Sequence, residues 1–198
     1  MNILPLFASC VFYDYVEEDT DELKTYDDFI STPSAPTESS RDKRVLLKYP
    51  RIAKLLIDKF RTIAKEDLHY DQNFEISTSW FTRTHVNGYS QYHNHKNCFY
   101  SGIYYFGEYS DDSGLIEFQN PIKSLPDFYM EPFDSNIINS TVWQIPPESK
   151  KLIFFPSYLN HRIMPHHNNI SRRSLAFNIV PTGRYGGVDS VYDTQWFT

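Results

Sequence analysis

The sequence predicts a mainly β fold, a β-sandwich or jelly roll that carries one helical layer. Aromatic residues make up 17% of the 198-residue chain, and such side chains fit a pleated sheet well. One helical stripe occurs before residue 70, and many short segments separated by turn residues follow it. The length suffices for one buried core, so we expect a single domain over residues 1–198. Residues 1–70 would supply an N-terminal strand, an acidic loop and the supporting helix, and residues 71–198 the jelly-roll core.

The first forty residues indicate a strand, an acidic stretch and a loop. Asn2 to Tyr15 has the character of a strand, with Pro5 at its edge or before it. Between Asp14 and Asp28 the chain carries eight acids and one base, which is typical of a solvated loop or helix face. Ser31 to Ser40 lacks a periodic apolar signal and is rich in Ser, Thr and Pro, so we expect a loop there.

The segment from Arg44 to Leu68 predicts the helix. Its apolar residues recur at a three-four spacing and form one continuous stripe: Val45, Leu46, Tyr49, Ile52, Ala53, Leu56, Ile57, Phe60, Ile63 and Ala64. Pro50 interrupts the stripe, so we expect a break there and a longer helix that begins near Arg51. We expect this helix to pack on the outer face of a sheet and to have no chemical role.

From Phe74 onward the pattern alternates with a period of two. Phe74, Ile76, Thr78 and Trp80 fall on one predicted face of a half-buried strand. Asn87-Gly88 is a strong turn signal. Asn120-Pro121 begins a long irregular segment, and residues 122–139 are either a lid over a site or a cover for a sheet edge. Further strands are predicted at Ser101–Phe106, Leu115–Phe118, Thr141–Ile145, Lys151–Phe155, His161–Met164 and Arg173–Val180.

Bulk properties exclude several classes of partner and location. The net charge of −6 and the pI of about 5.6 disfavour nucleic acid as the main partner. The two cysteines, Cys10 and Cys98, cannot make a disulfide framework and fit a reducing cytosol. The N-terminal apolar run, roughly ten residues without a basic start, is too short for a membrane span and unlike a signal peptide. We therefore expect a cytoplasmic protein without a membrane partner. The sequence does not indicate its oligomeric state.

Three histidines are candidate metal ligands. His93 and His95 are two residues apart, so on an extended chain their imidazoles share a face. His161 follows a strand that looks buried, far downstream. Neutral imidazoles bind Fe, Zn, Cu and Ni, so the spacing does not choose a metal, and incidental structural histidines remain an alternative. His85, His166 and His167 are also available, and the last two, in the polar loop PHHNN, are predicted to be solvent-exposed.

An arginine near the end of the chain indicates an anion site. Arg172 and Ser174 would share one face of a strand, and an inward-facing Arg is costly unless it meets an anion. Its planar guanidinium matches a carboxylate in two hydrogen bonds. Alternatively, Arg172 faces solvent and Arg173 points inward, or both cap the loop. Tyr105 shares a face with Ser101 and Ile103, and its phenol would need a partner that a cofactor carboxylate could supply. Packing is the alternative role for any one of the fifteen tyrosines.

Four blocks, HNHKNCFYSGIYYF, SGLIEFQNP, LIFFPSYLNH and RRSLAFN, carry a family resemblance. In this order they resemble the 2OG-Fe(II) oxygenases of phages and marine bacteria, distant relatives of prolyl hydroxylases. The resemblance covers roughly Trp80 to Asn178 and implies a double-stranded β-helix of the cupin-like jelly-roll type. It also implies Fe(II), 2-oxoglutarate and O2, with ascorbate as a further candidate, and hydroxylation of a C–H bond. The substrate would be a prolyl or other protein residue, a peptide or a small molecule, and a phage-encoded protein would act in the host cytoplasm.

Residue by residue, the resemblance implies a site. His93, His95 and His161 stand at the positions of the iron ligands. The remote carboxylate of 2-oxoglutarate would be held by Arg172, Ser174 and Tyr105, and Asn97 is a weaker candidate for the cofactor pocket or the surroundings of the iron.

The family usually places Asp or Glu where this chain has His95, and three interpretations of this departure remain. His95 is a third imidazole ligand, or an acid from elsewhere (Asp111, Asp112 or Glu117) completes the site, or His95 lies outside the ligand set. Two rival functions also remain. One is a jelly-roll metal protein that does not use 2-oxoglutarate. The other is a non-enzymatic β-sandwich binding module whose histidines are incidental.

Overall fold

A computed structural model describes residues 8–32, 36–122 and 131–197 of the chain. Short 3-10 helices cover Asp21–Thr25, Val45–Lys48, Val188–Ser190 and Thr194–Phe197. The remaining elements are, in chain order, β1 (Phe12–Tyr15), β2 (Phe29–Ser31), β3 (Thr37–Ser40), α1 (Pro50–Glu66), β4 (Asn73–Thr84), β5 (Tyr100–Tyr104), β6 (Ile116–Gln119), β7 (Val142–Ile145), β8 (Lys151–Pro156), β9 (His161–Ile163), β10 (Arg172–Thr182), β11 (Arg184–Tyr185) and β12 (Tyr192–Asp193). No helix in these ranges is long and apolar enough to cross a bilayer.

Two antiparallel sheets face each other. The large sheet has the order β1-β8-β5-β10-β4-β3-β2, and the small sheet has the order β7-β6-β9; β11 and β12 form a separate hairpin. Apolar side chains from both sheets meet in one buried cluster, which includes Ile103 and Phe155 of the large sheet and Ile116 and Phe118 of the small one. The predicted mainly β fold with a helical layer is confirmed for the described residues.

Helix α1 covers the other face of the large sheet. The 3-10 helix that ends at Lys48 is followed by an α-helix from Pro50, which is the break that the sequence predicts. The buried stripe of α1 packs into a second cluster with side chains of β4, β5, β8 and β10. At its centre, the ring of Phe60 lies 5.2 Å from Phe74, 5.1 Å from Tyr100 and 5.6 Å from Phe154, measured between centroids.

We expect Phe60→Ala to lower the free energy of unfolding by about 3–5 kcal/mol, because it removes a fully buried ring and leaves a cavity among three others. Urea unfolding followed by circular dichroism measures the change. Leu47→Ala is the control: Leu47 is exposed, so its removal should change stability by less than about 0.5 kcal/mol. A loss of less than about 1 kcal/mol at Phe60 would show that this ring is not central to the packing of α1.

Strand β4 corrects the prediction of one uninterrupted alternation. Thr78 pairs with Asn178, but Ile76 pairs with Ile179, so Ser77 is an extra residue in β4. A bulge of one residue transfers every later side chain to the opposite face. Phe74 therefore packs under α1, whereas Trp80 packs between the two sheets, although the sequence places both on one face.

The first forty residues contain a second correction. Ser31 to Ser40 is predicted as a loop, but β2 ends and β3 lies within it, and β3 pairs with the far end of β4. A Thr-Glu-Ser-Ser strand has no apolar alternation because it lies near the sheet edge, so periodicity could not detect it. The predicted strand from Asn2 is described only from residue 8, and residues 2–7, with Pro5, lie outside the described residues, as do residues 123–130 of the predicted irregular segment.

Candidate metal and cofactor site

Three histidines converge at one end of the space between the two sheets. One ring nitrogen of each of His93, His95 and His161 lies within 4.8 Å of the others. The backbones of His93 and His161 form an antiparallel bridge, with N–H···O distances of 3.0 and 2.9 Å. His93 is exposed, His95 half-buried and His161 buried. The two sequence segments that carry the predicted ligands therefore meet at one point.

Hydrogen bonds orient all three rings in the same way. The Nδ1–H of His93 donates to the Gln91 carbonyl at 2.8 Å, and that of His161 donates to the Leu159 carbonyl at 3.0 Å. His95 Nδ1 donates to the side-chain oxygen of Asn178 at 2.6 Å. A carbonyl oxygen can only accept, so each Nδ1 carries the proton and each Nε2 presents a free lone pair. This donor set fits a transition-metal ion.

The same environment keeps the imidazoles neutral. Burial, with a smaller contribution from the neighbouring His93, lowers the pKa of His161 to about 3. Burial also lowers the pKa of His95. Near neutral pH both rings are therefore uncharged imidazoles, which is the form that binds a metal ion.

Within the described residues, no carboxylate joins the three histidines. Glu117 alternates with the inward-facing Ile116 and Phe118 and points to the outer face of the small sheet. Asp111 and Asp112 lie in an exposed turn. Of the three interpretations of His95, the arrangement supports the one in which it is a third imidazole ligand.

Arg172 lies inside the fold and is 1% exposed. Its Nε donates to the Gly114 carbonyl at 2.9 Å and its Nη2 to the Tyr105 hydroxyl at 2.9 Å, while Nη1 lies 3.4 Å from Ser174 Oγ. Arg173 points to the opposite face and donates to backbone carbonyls of Lys24 and Tyr26. The alternative assignment of the two arginines is therefore wrong.

The guanidinium of Arg172 has no acidic partner among the described residues. A buried cation without a counter-ion is costly, so the site is suited to an anionic ligand. Burial raises the pKa of Tyr105, and Arg172 opposes that rise. The phenol therefore stays protonated and can donate to a carboxylate.

One face of β10 connects the Arg172 cluster to the three histidines. Arg172, Ser174, Ala176 and Asn178 alternate along this face, from the anion site to the histidines. In the pairing of β10 with β5, Asn178 lies opposite Ser101, whose hydroxyl is 3.0 Å from His95 Nδ1. The side chains between Arg172 and Asn178 on this face are small, Ser174 and Ala176. They leave space for a ligand that contacts both Arg172 and the histidines.

Two supporting residues were missed or misjudged from the sequence. Asn178, which holds His95, could have been found by counting in twos from Arg172. His166 is predicted to be exposed but is fully buried: its Nδ1 accepts from the Gly114 N–H at 3.2 Å, and its Nε2 donates to the Ile170 carbonyl at 2.8 Å. It thereby holds Gly114, the backbone partner of Arg172, a contact that adjacent loop residues cannot reveal in sequence. His167 is exposed, as predicted.

Asn97 does not join the Arg172 cluster. It lies in an exposed turn with φ of 57° and lines a groove of about 450 Å³ beside His95. Aromatic residues form much of this groove, and Lys96 lies at it. Tyr158 separates the groove from a smaller depression of about 230 Å³.

We expect Asn178→Leu to weaken metal binding by about 10–100-fold, the usual cost of removing the group that orients a ligating histidine. Anaerobic titration with Fe(II) or Co(II) measures the affinity. Thr78→Val is the control, because it removes the 3.0 Å bond from Asn178 Nδ2 to Thr78 but leaves the bond to His95. Equal affinities for the wild type and Asn178→Leu would contradict the orienting role.

Comparisons with known proteins agree with this geometry. The sequence matches a family described as Putative 2OG-Fe(II) oxygenase over residues 78–178, which are 101 of the 198 residues. A search of curated proteins found no match.

Among solved structures, the non-heme alpha ketoglutarate dependent epimerase SnoN from nogalamycin biosynthesis has a TM-score of 0.64 at 8% identity, over 90% of this chain and 82% of that one. HygX from Streptomyces hygroscopicus, with nickel, 2-oxoglutarate and hygromycin B bound, has a TM-score of 0.60 at 12% identity, over 88% and 84%. A Pseudomonas putida prolyl-4-hydroxylase has a TM-score of 0.52 at 12% identity, over 82% and 81%. The chain shares the fold of these proteins.

Proposed function

The chain belongs to the 2OG-Fe(II) oxygenase family, and from this premise we propose that it is a dioxygenase that hydroxylates a C–H bond of its substrate. One observation carries the proposal: one face of β10 connects the Nε2 atoms of three histidines to a buried guanidinium that has no acidic partner among the described residues. We also propose that the two facing sheets form a double-stranded β-helix and that residues 1–198 are one domain.

In this proposal each part of the site has one task. His93, His95 and His161 hold Fe(II), and Arg172 binds the remote carboxylate of 2-oxoglutarate with help from Ser174 and Tyr105. Fe(II) and 2-oxoglutarate held there would supply the power to oxidise the substrate with O2. The apolar cluster between the sheets, with Ile103 and Phe155, excludes water from the space beside the cofactor.

We propose that the substrate binds in the groove beside His95. Its volume of about 450 Å³ lies within the range of small-ligand sites, roughly 300–1,000 Å³. The neighbours differ from one another: the Pseudomonas putida protein is a prolyl-4-hydroxylase, and HygX has been solved with hygromycin B bound. A prolyl or other protein residue and a small molecule are therefore both candidates. The proposed cytoplasmic location rests on Cys10 and Cys98, both free thiols. A phage origin and a dependence on ascorbate stay predictions.

Anaerobic mixing of the purified protein with Fe(II) and then with 2-oxoglutarate tests the function. We expect stoichiometric iron, a weak visible charge-transfer band on addition of the keto acid, and slow release of succinate once O2 is admitted. Iron binding without the band would favour a jelly-roll metal protein that does not use 2-oxoglutarate. Absence of stoichiometric metal would favour a non-enzymatic binding module.

A further inference from the structure

We propose that Glu117 is a positioning residue for the metal centre, acting from the outer face of the small sheet through the residues next to His93 and His161. This inference rests on the proposed metal site. Glu117 is 3% exposed, although it lies on the face of β6 that points away from the space between the sheets. Its carboxylate is surrounded by donors rather than by solvent.

This carboxylate accepts three hydrogen bonds, each from a different segment of the chain. Tyr92 donates its hydroxyl to Oε1 at 2.5 Å, Arg162 donates Nε to Oε1 at 2.7 Å, and Gln144 donates Nε2 to Oε2 at 2.5 Å. The guanidinium of Arg162 also lies over the ring of Tyr92, 4.6 Å from its centroid. Burial raises the pKa of the Glu117 carboxyl, but the three hydrogen bonds outweigh it, so the net pKa is lowered and the group is an anion.

The pairing of the strands shows why these contacts matter for the histidines. His93 lies opposite His161 in the backbone bridge, so Tyr92 lies opposite Arg162 and Asn94 lies opposite Asn160. On the adjacent strand β6, Glu117 pairs with Arg162. The row of Gln144, Glu117, Arg162 and Tyr92 thus runs next to the row that carries the two histidines, on the opposite face.

A second polar row lies on the other side of the histidine row. Asn94 Nδ2 donates to Asn160 Oδ1 at 3.1 Å, and Asn160 Nδ2 donates to Gln119 Oε1 at 3.2 Å. The two ligands therefore lie between two cross-strand polar rows, and only the first contains a charge. Besides its bridge to His161, the segment of His93 is tied to β9 at Ser90, whose N–H donates to the Ile163 carbonyl at 3.0 Å and whose Oγ accepts from the Ile163 N–H at 2.8 Å. The Glu117 cluster adds to this backbone bridge: it joins the side chains of Tyr92 and Arg162, the neighbours of the two ligands, and so restricts the position of His93 relative to His161.

The test compares Glu117→Gln and Tyr92→Phe with the wild type. Both variants should weaken Fe(II) or Co(II) binding by about 10–100-fold and shift the visible Co(II) spectrum, which reports ligand geometry. Tyr92→Phe removes one hydroxyl and leaves Glu117 with two partners, so it keeps the test available if Glu117→Gln does not fold.

A second readout needs no metal. The His161 N–H donates to the His93 carbonyl at 2.9 Å, whereas the Tyr105 N–H donates to the Lys151 carbonyl at 2.9 Å in the large sheet. In the metal-free variants, hydrogen exchange of the His161 amide should become at least about 10-fold faster relative to that of Tyr105. The ratio removes any effect of a general loss of stability.

Glu38→Gln is the matched control, because Glu38 also binds an arginine, Arg83 at 2.5 Å, but lies on β3 of the large sheet. It should leave both the metal affinity and the exchange ratio unchanged. Wild-type values in Glu117→Gln and Tyr92→Phe, or equal losses in Glu38→Gln, would overturn the inference. If the wild type bound no metal, the proposed function and the role of Glu117 at a metal centre would both fail; wild-type metal binding with an unchanged exchange ratio and unchanged affinity in the variants would overturn the role of Glu117 alone.

Discussion

Arg172→Met is expected to weaken the binding of 2-oxoglutarate by at least about 100-fold while iron binding is retained. The substitution removes the guanidinium that lies at the Tyr105 and Ser174 hydroxyls and that has no acidic partner in the part of the chain that the structure describes. Each hydrogen bond to a charged group contributes about 1.5–3 kcal/mol, and a carboxylate would lose two of them. The measurement is the 2-oxoglutarate dependence of the charge-transfer band under anaerobic conditions, with iron content determined in parallel.

Arg173→Met is the control for this experiment. It removes a neighbouring cation that binds backbone carbonyls of Lys24 and Tyr26 on the opposite face of β10, so the band should be retained even if the protein is less stable. Arg172→Lys should give an intermediate affinity, because an ammonium keeps the charge but not the planar pair of donors. Unchanged 2-oxoglutarate affinity in Arg172→Met would show that the buried guanidinium serves the packing of the fold alone.

The helix and the pairs of site residues that share a face could be predicted from the sequence, because residue spacing in a helix and in an extended segment follows a simple period. The three-four stripe up to Ala64 gave the helix, and the two-residue spacing of Arg172 and Ser174 placed both side chains inward. His-x-His gave two imidazoles directed to one point, even though His93 and His95 precede the strand rather than lie in it. Period and residue chemistry agreed at each of these positions.

The remainder depended on contacts that no period encodes. A single extra residue, Ser77, reversed the faces of β4, and hydrophobic alternation cannot show a bulge in a strand that is apolar on both sides. His166 is buried because it binds Gly114, fifty-two positions earlier in the chain. Glu117 was considered as a ligand, yet the pairing of β6 with β9 turns its carboxylate outward, where it meets Tyr92 and Arg162. Such residues are recognised only once the register of the strands is known.

His161→Ala should lower metal affinity by at least about 100-fold. This loss is larger than that expected for a residue such as Asn178, which orients a ligand but does not bind the metal. His161 contributes the buried member of the cluster, and Ala cannot replace its Nε2. Anaerobic Fe(II) titration with removal of loosely bound metal measures the change. His85→Ala is the control, because His85 is bound to Glu38 and Ser171 and lies outside the cluster. The metal affinity of the His85→Ala variant should equal that of the wild type.

The same titration on His95→Ala decides whether His95 is a metal ligand at the position where the family usually has Asp or Glu. If His95 is a ligand, its loss should match that of His161, because each supplies one of three nitrogens. A loss no greater than that of Asn178→Leu would instead place His95 outside the ligand set. Three neutral imidazoles leave the full charge of Fe(II) uncompensated, so the bound dianion 2-oxoglutarate should strengthen iron binding in the wild type. At a 2-oxoglutarate concentration that just saturates the wild type, Arg172→Met should lose this gain in iron affinity, because the keto acid no longer occupies the site, while the affinity for iron alone stays unchanged.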